Sequence, residues 1–200
     1  MKIFIGLILL FLALPSIGQQ LYADSIKSFR IEKQEDVLGT SKVLKPEEKE
    51  KIVSLSFFQP DSTWVKTVTF TKDKGRPFEM PTSTDRLPRY RRVGYIHFEH
   101  EGKKHQLTLY KNLDLVTPEY KDYYFLPFKD LTAPNETYGA GRYIELYTNI
   151  KKQKEFIVDF NTAFNPYCVY SYRYSCPITP KENHLNFRID AGERLPVVKE

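Results

Sequence analysis

Glycine and cysteine are scarce in this sequence, with 9 and 2 residues among 200, and tryptophan occurs once. So little glycine excludes a collagen-like chain, and a single pair of cysteines excludes a disulfide-dense scaffold. Internal repeats and low-complexity tracts are absent, which sets aside solenoids and arrays. After the N-terminal segment no apolar stretch reaches about 18 residues, so a multispanning membrane protein is excluded as well. What the chain has is an ordinary globular balance, 41% hydrophobic and 28% charged, together with 14 Phe and 14 Tyr. Aromatic and β-branched residues suit pleated sheet, and 200 residues suit one domain.

Residues 1–18 read as a secretory signal peptide: Met1-Lys2, an apolar run over residues 3–14, then Pro15 and the small-residue stretch Ser16-Ile17-Gly18. Twelve apolar residues are too few to span a bilayer, which takes about 20. The expected product is an exported chain, periplasmic or extracellular, with one β-rich domain over residues 19–200 and no stable membrane anchor. The full sequence carries a formal net charge of +5, mildly basic. Arg86, Arg89, Arg91 and Arg92 cluster around Tyr90, and Lys151, Lys152 and Lys154 form a second group. Short basic groups at strand ends read as solvated edge protection, so no nucleic-acid partner is expected.

Helical spacing of Leu21 or Tyr22, Ile26 and Phe29 predicts a helix over about 21–37, stopped by Gly39. Residues 46–51, PEEKEK, suit a second short helix with Pro in its first turn. Strand patterns follow at 63–70, at 78–80 between two prolines, at 123–128 and at 184–190. Residues 93–111 predict a hairpin turning at Gly102-Lys103, with Ile96 facing Leu109, Phe98 facing Leu107 and His100 facing His105. Residues 142–147 and 155–160 read as a second hairpin across the loop 148–154. On its parity Arg142 shares the inner face with Ile144, Leu146, Phe156, Val158 and Phe160, while Tyr143 and Asp159 point outward. A buried Arg142 requires a partner. The expected fold is mainly β: an antiparallel β-sandwich or partly open barrel of about eight strands with an N-terminal helix packed on it.

Polar motifs are dense between Asp130 and Glu193: DLTAPNETYGAGRY from Asp130, DFNTAFNPYCVY from Asp159, CPITPKENHL from Cys176 and AGE ending at Glu193. Together with Phe57-Phe58, MPTST at 80–84 and the hairpin at Gly94, these resemble the domain of unknown function 1684 family over nearly all of the exported chain. The resemblance implies no activity. It marks Asp130, Arg142, Asp159, Asn161, Asn165, Cys168, Cys176, Glu182, Asn183 and Glu193 among others, whereas His184 and Val169 depart from the family pattern.

Loops on a rigid sheet are where sites are built, and tyrosines with amides suit a small polar ligand. The candidate site is Tyr138, Arg142, Tyr143, Asp159, Asn161, Asn165, Tyr170, Glu182 and Asn183. An alternative is a hydrolase using paired carboxylates, or the Cys168 thiol with His184 as base and Asn161 or Asn165 as orienter. A third reading is a structural protein whose carboxylates neutralise Arg142 and hold loop backbone. Cys168 and Cys176, an even pair in an exported chain, are expected to form a disulfide. His100 and His105 lack a third ligand, so no metal site and no cofactor are expected.

Overall fold

The computed structural model describes residues 17–150 and 152–199. The expected signal peptide lies outside the described residues except for Ile17 and Gly18, which open the first helix, α1 (Ile17–Leu38). Ile26 and Val37 are its buried positions, and the Tyr22 hydroxyl donates to Asp159 Oδ2 at 3.0 Å, tying the helix to the sheet. A one-turn helix, α2 (Pro46–Lys49), begins at proline, and Glu48 accepts the backbone N–H of Lys45 at 2.8 Å.

The strands are β1 (Ile52–Phe57), β2 (Val65–Lys72), β3 (Pro77–Glu79), β4 (Arg89–His100), β5 (Lys103–Asn112), β6 (Tyr123–Phe128), β7 (Arg142–Tyr147), β8 (Glu155–Asp159) and β9 (Glu193–Val198). All ladder pairs between them are antiparallel. Six strands run in the order β7-β6-β5-β4-β2-β8, with β3 beside β4, and β1 pairs β9 in a separate ribbon. Ile144 and Leu146 of β7 share one buried cluster with Val158 of β8, the opposite end of the sheet order. A flat sheet could not bring its two edges together over one core, so the sheet curls into a half-barrel. Its convex face carries a second cluster of Met80, Tyr90, Tyr110, Tyr123, Phe125 and Tyr143.

The first hairpin turns one residue earlier than expected. Glu101 and Gly102 both have positive φ, 50° and 71°, the requirement of a type I′ turn, so Ile96 pairs Leu107, Phe98 pairs His105 and His100 pairs Lys103. The change moves each partner by two residues, which preserves parity, and Ile96, Phe98, Leu107 and Leu109 all remain in the core. The second hairpin is a correction of topology. β7 pairs β6 and β8 pairs β2, and their shared inner face comes from curling of the sheet. Residues 184–190 form no strand; only His184 makes an isolated bridge, to Lys129, while Leu185, Phe187 and Ile189 still pack on the core. The closing strand is β9, which with β1 was not expected. That pair has two register shifts and carries Pro196, features that blur alternation.

The two ends of the half-barrel differ. At one, Trp64, His100, His105 and Phe187 stack, with Trp64 and Phe187 centroids 6.5 Å apart and nearly parallel and His105 4.4 Å from Phe187. At the other, Phe70, Val93 and Ile150 only partly cover the core and the inner face stays open.

Candidate ligand-binding site

The polar side chains of the 130–193 segment are brought together as fastenings between loops and sheet. Arg142 is 1% exposed on the inner face of β7. Its Nη2 donates to Asp130 Oδ1 at 3.2 Å and to the carbonyl of Ile189 at 3.0 Å, and its Nη1 donates to the carbonyls of Ala191 and Glu193. Asp130 in turn accepts the Ile189 N–H at 2.7 Å and the Thr132 hydroxyl at 2.8 Å. Burial pushes the Arg142 guanidinium below its ordinary value, and Asp130 opposes that shift. Of the carboxylates weighed for catalysis, Asp130 is therefore the partner that neutralises Arg142.

Asn161 is fully buried. Its amide exchanges two hydrogen bonds with the backbone of Asp61, at 3.0 and 2.8 Å, and donates to Asp159 Oδ1 at 2.9 Å. Asn165 donates its backbone N–H to Glu193 Oε2 at 2.9 Å and its side-chain amide to the Arg194 carbonyl at 2.7 Å. Glu193 also accepts the Tyr170 hydroxyl. Burial lifts the Glu193 carboxyl to about 7 against those two hydrogen bonds, and burial likewise raises Tyr170, which stays a proton donor. Asn183 lies where β5 and β6 share a single ladder pair, Tyr110 with Phe125. Its amide accepts from Thr108 N–H at 2.7 Å and donates to the carbonyls of Thr108 and Pro127, at 2.9 and 2.7 Å, replacing the missing ladder. Glu182 accepts the Tyr110 hydroxyl at 2.7 Å, and Tyr143 donates to the Pro177 carbonyl.

Tyr138 stands apart from these networks, with its hydroxyl 3.5 Å from Cys168 Sγ. The two cysteines are adjacent but unbonded: Cys168 donates its backbone N–H to Cys176 Sγ at 3.3 Å, and both thiols are free. His184, the base of the hydrolase reading, is instead hydrogen-bonded through Nε2 to the Thr179 carbonyl at 3.1 Å. His100 and His105 are 6.4 Å apart at their ring centroids, and each packs against Phe187. Among the described residues no group of three or more His, Cys, Asp or Glu converges as metal ligands would.

A cavity of about 710 Å³ lies at the open end of the half-barrel, within the size range of small-molecule sites. Its apolar wall is Phe70, Val93, Leu113, Tyr124 and Ile150. Its polar wall is Lys72, Lys74, Arg91, Lys111, Lys121 and Lys154, with no carboxylate among the described lining residues. This trough is distinct from the loop cluster: Arg142, Asn161 and Asn165 do not line it, nor do they line a smaller cavity of about 260 Å³ beside Cys168 and Tyr170. The curled sheet explains its composition. In β2 the inward series runs Val68, Phe70, Lys72; in β5 it runs Leu107, Leu109, Lys111; in β8 it runs backwards from Val158 through Phe156 to Lys154, at the strand's edge. Each series is apolar where the barrel is filled and cationic where it opens.

Two of these cations are set directly opposite one another, because Arg91 on β4 pairs Lys111 on β5. Lys111 is held by the carbonyls of Tyr120 and Lys121, at 3.1 and 2.6 Å, and lies 5.2 Å from the Tyr124 ring centroid. Arg91 Nε is shielded from solvent with no hydrogen-bond partner among the described residues. Among the described residues no carboxylate forms an ion pair with Lys72, Lys74, Arg91, Lys121 or Lys154. Gly94 shapes the floor, since a Cβ there would meet the Phe70 ring at 2.6 Å and the Thr71 carbonyl at 2.3 Å. The basic groups around residues 86–92 and 151–154, expected to be solvated edge protection, thus contribute Arg91 and Lys154 to a concave site. The signal that could have found them is a cation at the end of each inward series, visible only once strand pairing is known.

The model of the family described as "Protein of unknown function (DUF1684)" matches residues 50–194. The chain is similar to the solution NMR structure of an uncharacterised protein of Haloarcula marismortui, with 30% identity and a TM-score of 0.67 over 88% of this chain and 96% of that one. No curated protein matches the chain.

Proposed function

We propose that this chain, which belongs to the domain of unknown function 1684 family, is a binding protein that takes a small amphipathic anion into the trough between β2, β4, β5, β6 and β8. The observation that carries this reading is the trough's composition: six cations and five apolar or aromatic residues around about 710 Å³, with no acid among them. Clustered cations at the mouth of a curled sheet raise the local concentration of anions, and the apolar wall rewards a hydrocarbon or aromatic body. The lining offers no carboxylate, thiol, hydroxyl nucleophile of serine type or imidazole, which favours holding a ligand over turning it over. The buried 130–193 network supports the scaffold reading for its own residues, since most of its polar groups bond one another and the backbone. The apolar run of residues 3–14 supports export of the mature chain.

The test is calorimetry on the purified chain with laurate, dodecyl phosphate, dodecanol and inorganic phosphate. Saturable one-to-one binding of an anionic amphiphile is expected, weakened as salt rises and by the double substitution Lys72→Glu, Lys154→Glu. The two anionic probes distinguish a carboxylate from a phosphate head. Dodecanol binding as tightly as laurate, or no saturable binding of either anion, overturns the proposal.

A further inference from the structure

Cys168 and Cys176 occupy unequal places. Cys168 lines the small cavity of about 260 Å³ together with Glu48, Lys51, Tyr170 and Ser171, so a small reagent can reach it. Cys176 is buried behind it, 8% exposed, and its sulfur accepts the Cys168 backbone N–H at 3.3 Å. Tyr138 Oη stands 3.5 Å from Cys168 Sγ, close enough to donate to a thiolate there. The loop between them clamps α2: Ser171 Oγ donates to Glu48 Oε1 at 2.5 Å, Arg173 pairs Glu48 at 2.9 Å, and the Tyr174 hydroxyl donates to the Val43 carbonyl at 2.6 Å.

We infer that Cys168 and Cys176 form a reversible dithiol–disulfide switch in which Cys168 is the attacking sulfur, Cys176 the resolving one, and a low-molecular-weight disulfide the oxidant. The Cys168 thiolate attacks one sulfur of the small disulfide RSSR, the S–S bond breaks, and one thiol leaves as RSH carrying the proton that Cys168 gave up. Cys176 then loses its proton and attacks Cys168 Sγ in the mixed disulfide; the S–S bond between Cys168 and the RS group breaks, and the second thiol leaves as RSH carrying that proton. The chain is oxidised by two electrons and the small disulfide is reduced to two thiols. Electrostatics agree with this order. The adjacent Cys176, with help from Tyr138 and Ser83, holds Cys168 down at about 7 despite its burial, whereas Cys176 is driven up. Closure staples the loop that holds α2, so redox state sets how firmly the 168–176 segment grips residues 43–48. This switch is independent of the trough.

Two measurements on the full chain test it. In the reduced native protein, limited alkylation with iodoacetamide followed by peptide mapping should label Cys168 at least roughly tenfold faster than Cys176. With glutathione disulfide, the wild type should close to the internal disulfide and release glutathione, and millimolar reduced glutathione should reopen it. Cys176→Ser should accumulate one glutathione on Cys168. Faster labelling of Cys176, glutathione retained by the wild type, or an internal disulfide that resists reduction in the folded chain would each overturn the inference. Because the alkylation arm uses the unaltered protein, poor folding of a variant does not remove the test.

Discussion

Arg91 and Lys111 are direct cross-strand partners on β4 and β5, and both line the trough. Like charges placed opposite each other on a sheet destabilise it by a few tenths to about 1 kcal/mol, and the buried Arg91 Nε lacks a partner as well. Arg91→Met keeps the apolar stem while removing both costs. Urea unfolding at low salt should show the variant equal to or more stable than wild type by up to about 1 kcal/mol, a gain that shrinks at high salt. The same variant should bind anionic amphiphiles more weakly. A loss of stability at low salt would contradict this view of the pair.

Asp130 and Arg142 predict the opposite balance. Both are buried, and removing one leaves the other charge without its partner. Asp130→Ala should cost about 3–5 kcal/mol in denaturant unfolding. A cost below about 1 kcal/mol would show that the backbone carbonyls of Ile189, Ala191 and Glu193 suffice for the guanidinium.

Asn183→Ala should open the seam between β5 and β6. Three backbone groups lose their partner, Thr108 N–H and the carbonyls of Thr108 and Pro127, each worth roughly 1–3 kcal/mol if left buried and unpaired. Hydrogen exchange should report the loss first at the Thr108 amide. Unchanged protection there would mean that water or a shifted strand replaces the side chain.

Glu193 sets a pH dependence whose sign follows from its raised value. Unfolded, the carboxyl releases its proton near 4.5; folded, it keeps the proton to about 7. Between those values the native state binds more protons, so this group's stabilisation is full below 4.5 and is lost as pH rises toward 7. His100 acts in the other direction, because burial, then Lys66, push it below 6.5 and its stabilisation is lost as pH falls below that value. Glu193→Gln removes the first effect and leaves the second. Thermal unfolding of the variant should therefore gain stability from pH 5 to 7 relative to wild type; parallel curves would contradict the assignment.

Much of the sheet could be read from residue order, and the reasons are local. Alternation placed Arg142 inside and Tyr143 outside, and it kept Ile96, Phe98, Leu107 and Leu109 on one face even though the turn sits at Glu101-Gly102. Pairing between distant strands was less legible: β7 and β8 share an inner face through curling of the sheet, a property of six strands together. The dense polar motifs were conspicuous because they are the fold's fastenings, with Asn183 completing a ladder and Arg142 gathering loop carbonyls. The trough was hidden for the converse reason. Lys72, Arg91, Lys111 and Lys154 lie near the ends of different strands, and only closure of the sheet makes them neighbours.

The most direct measurement is amide chemical-shift mapping of the uniformly labelled chain during titration with laurate. The account predicts saturating shifts at Phe70, Val93, Lys111, Leu113 and Tyr124, with the amides of Asn161, Asn165 and Asn183 unmoved. Shifts centred on the loops around Arg142 and Asn161, with the trough silent, would contradict it.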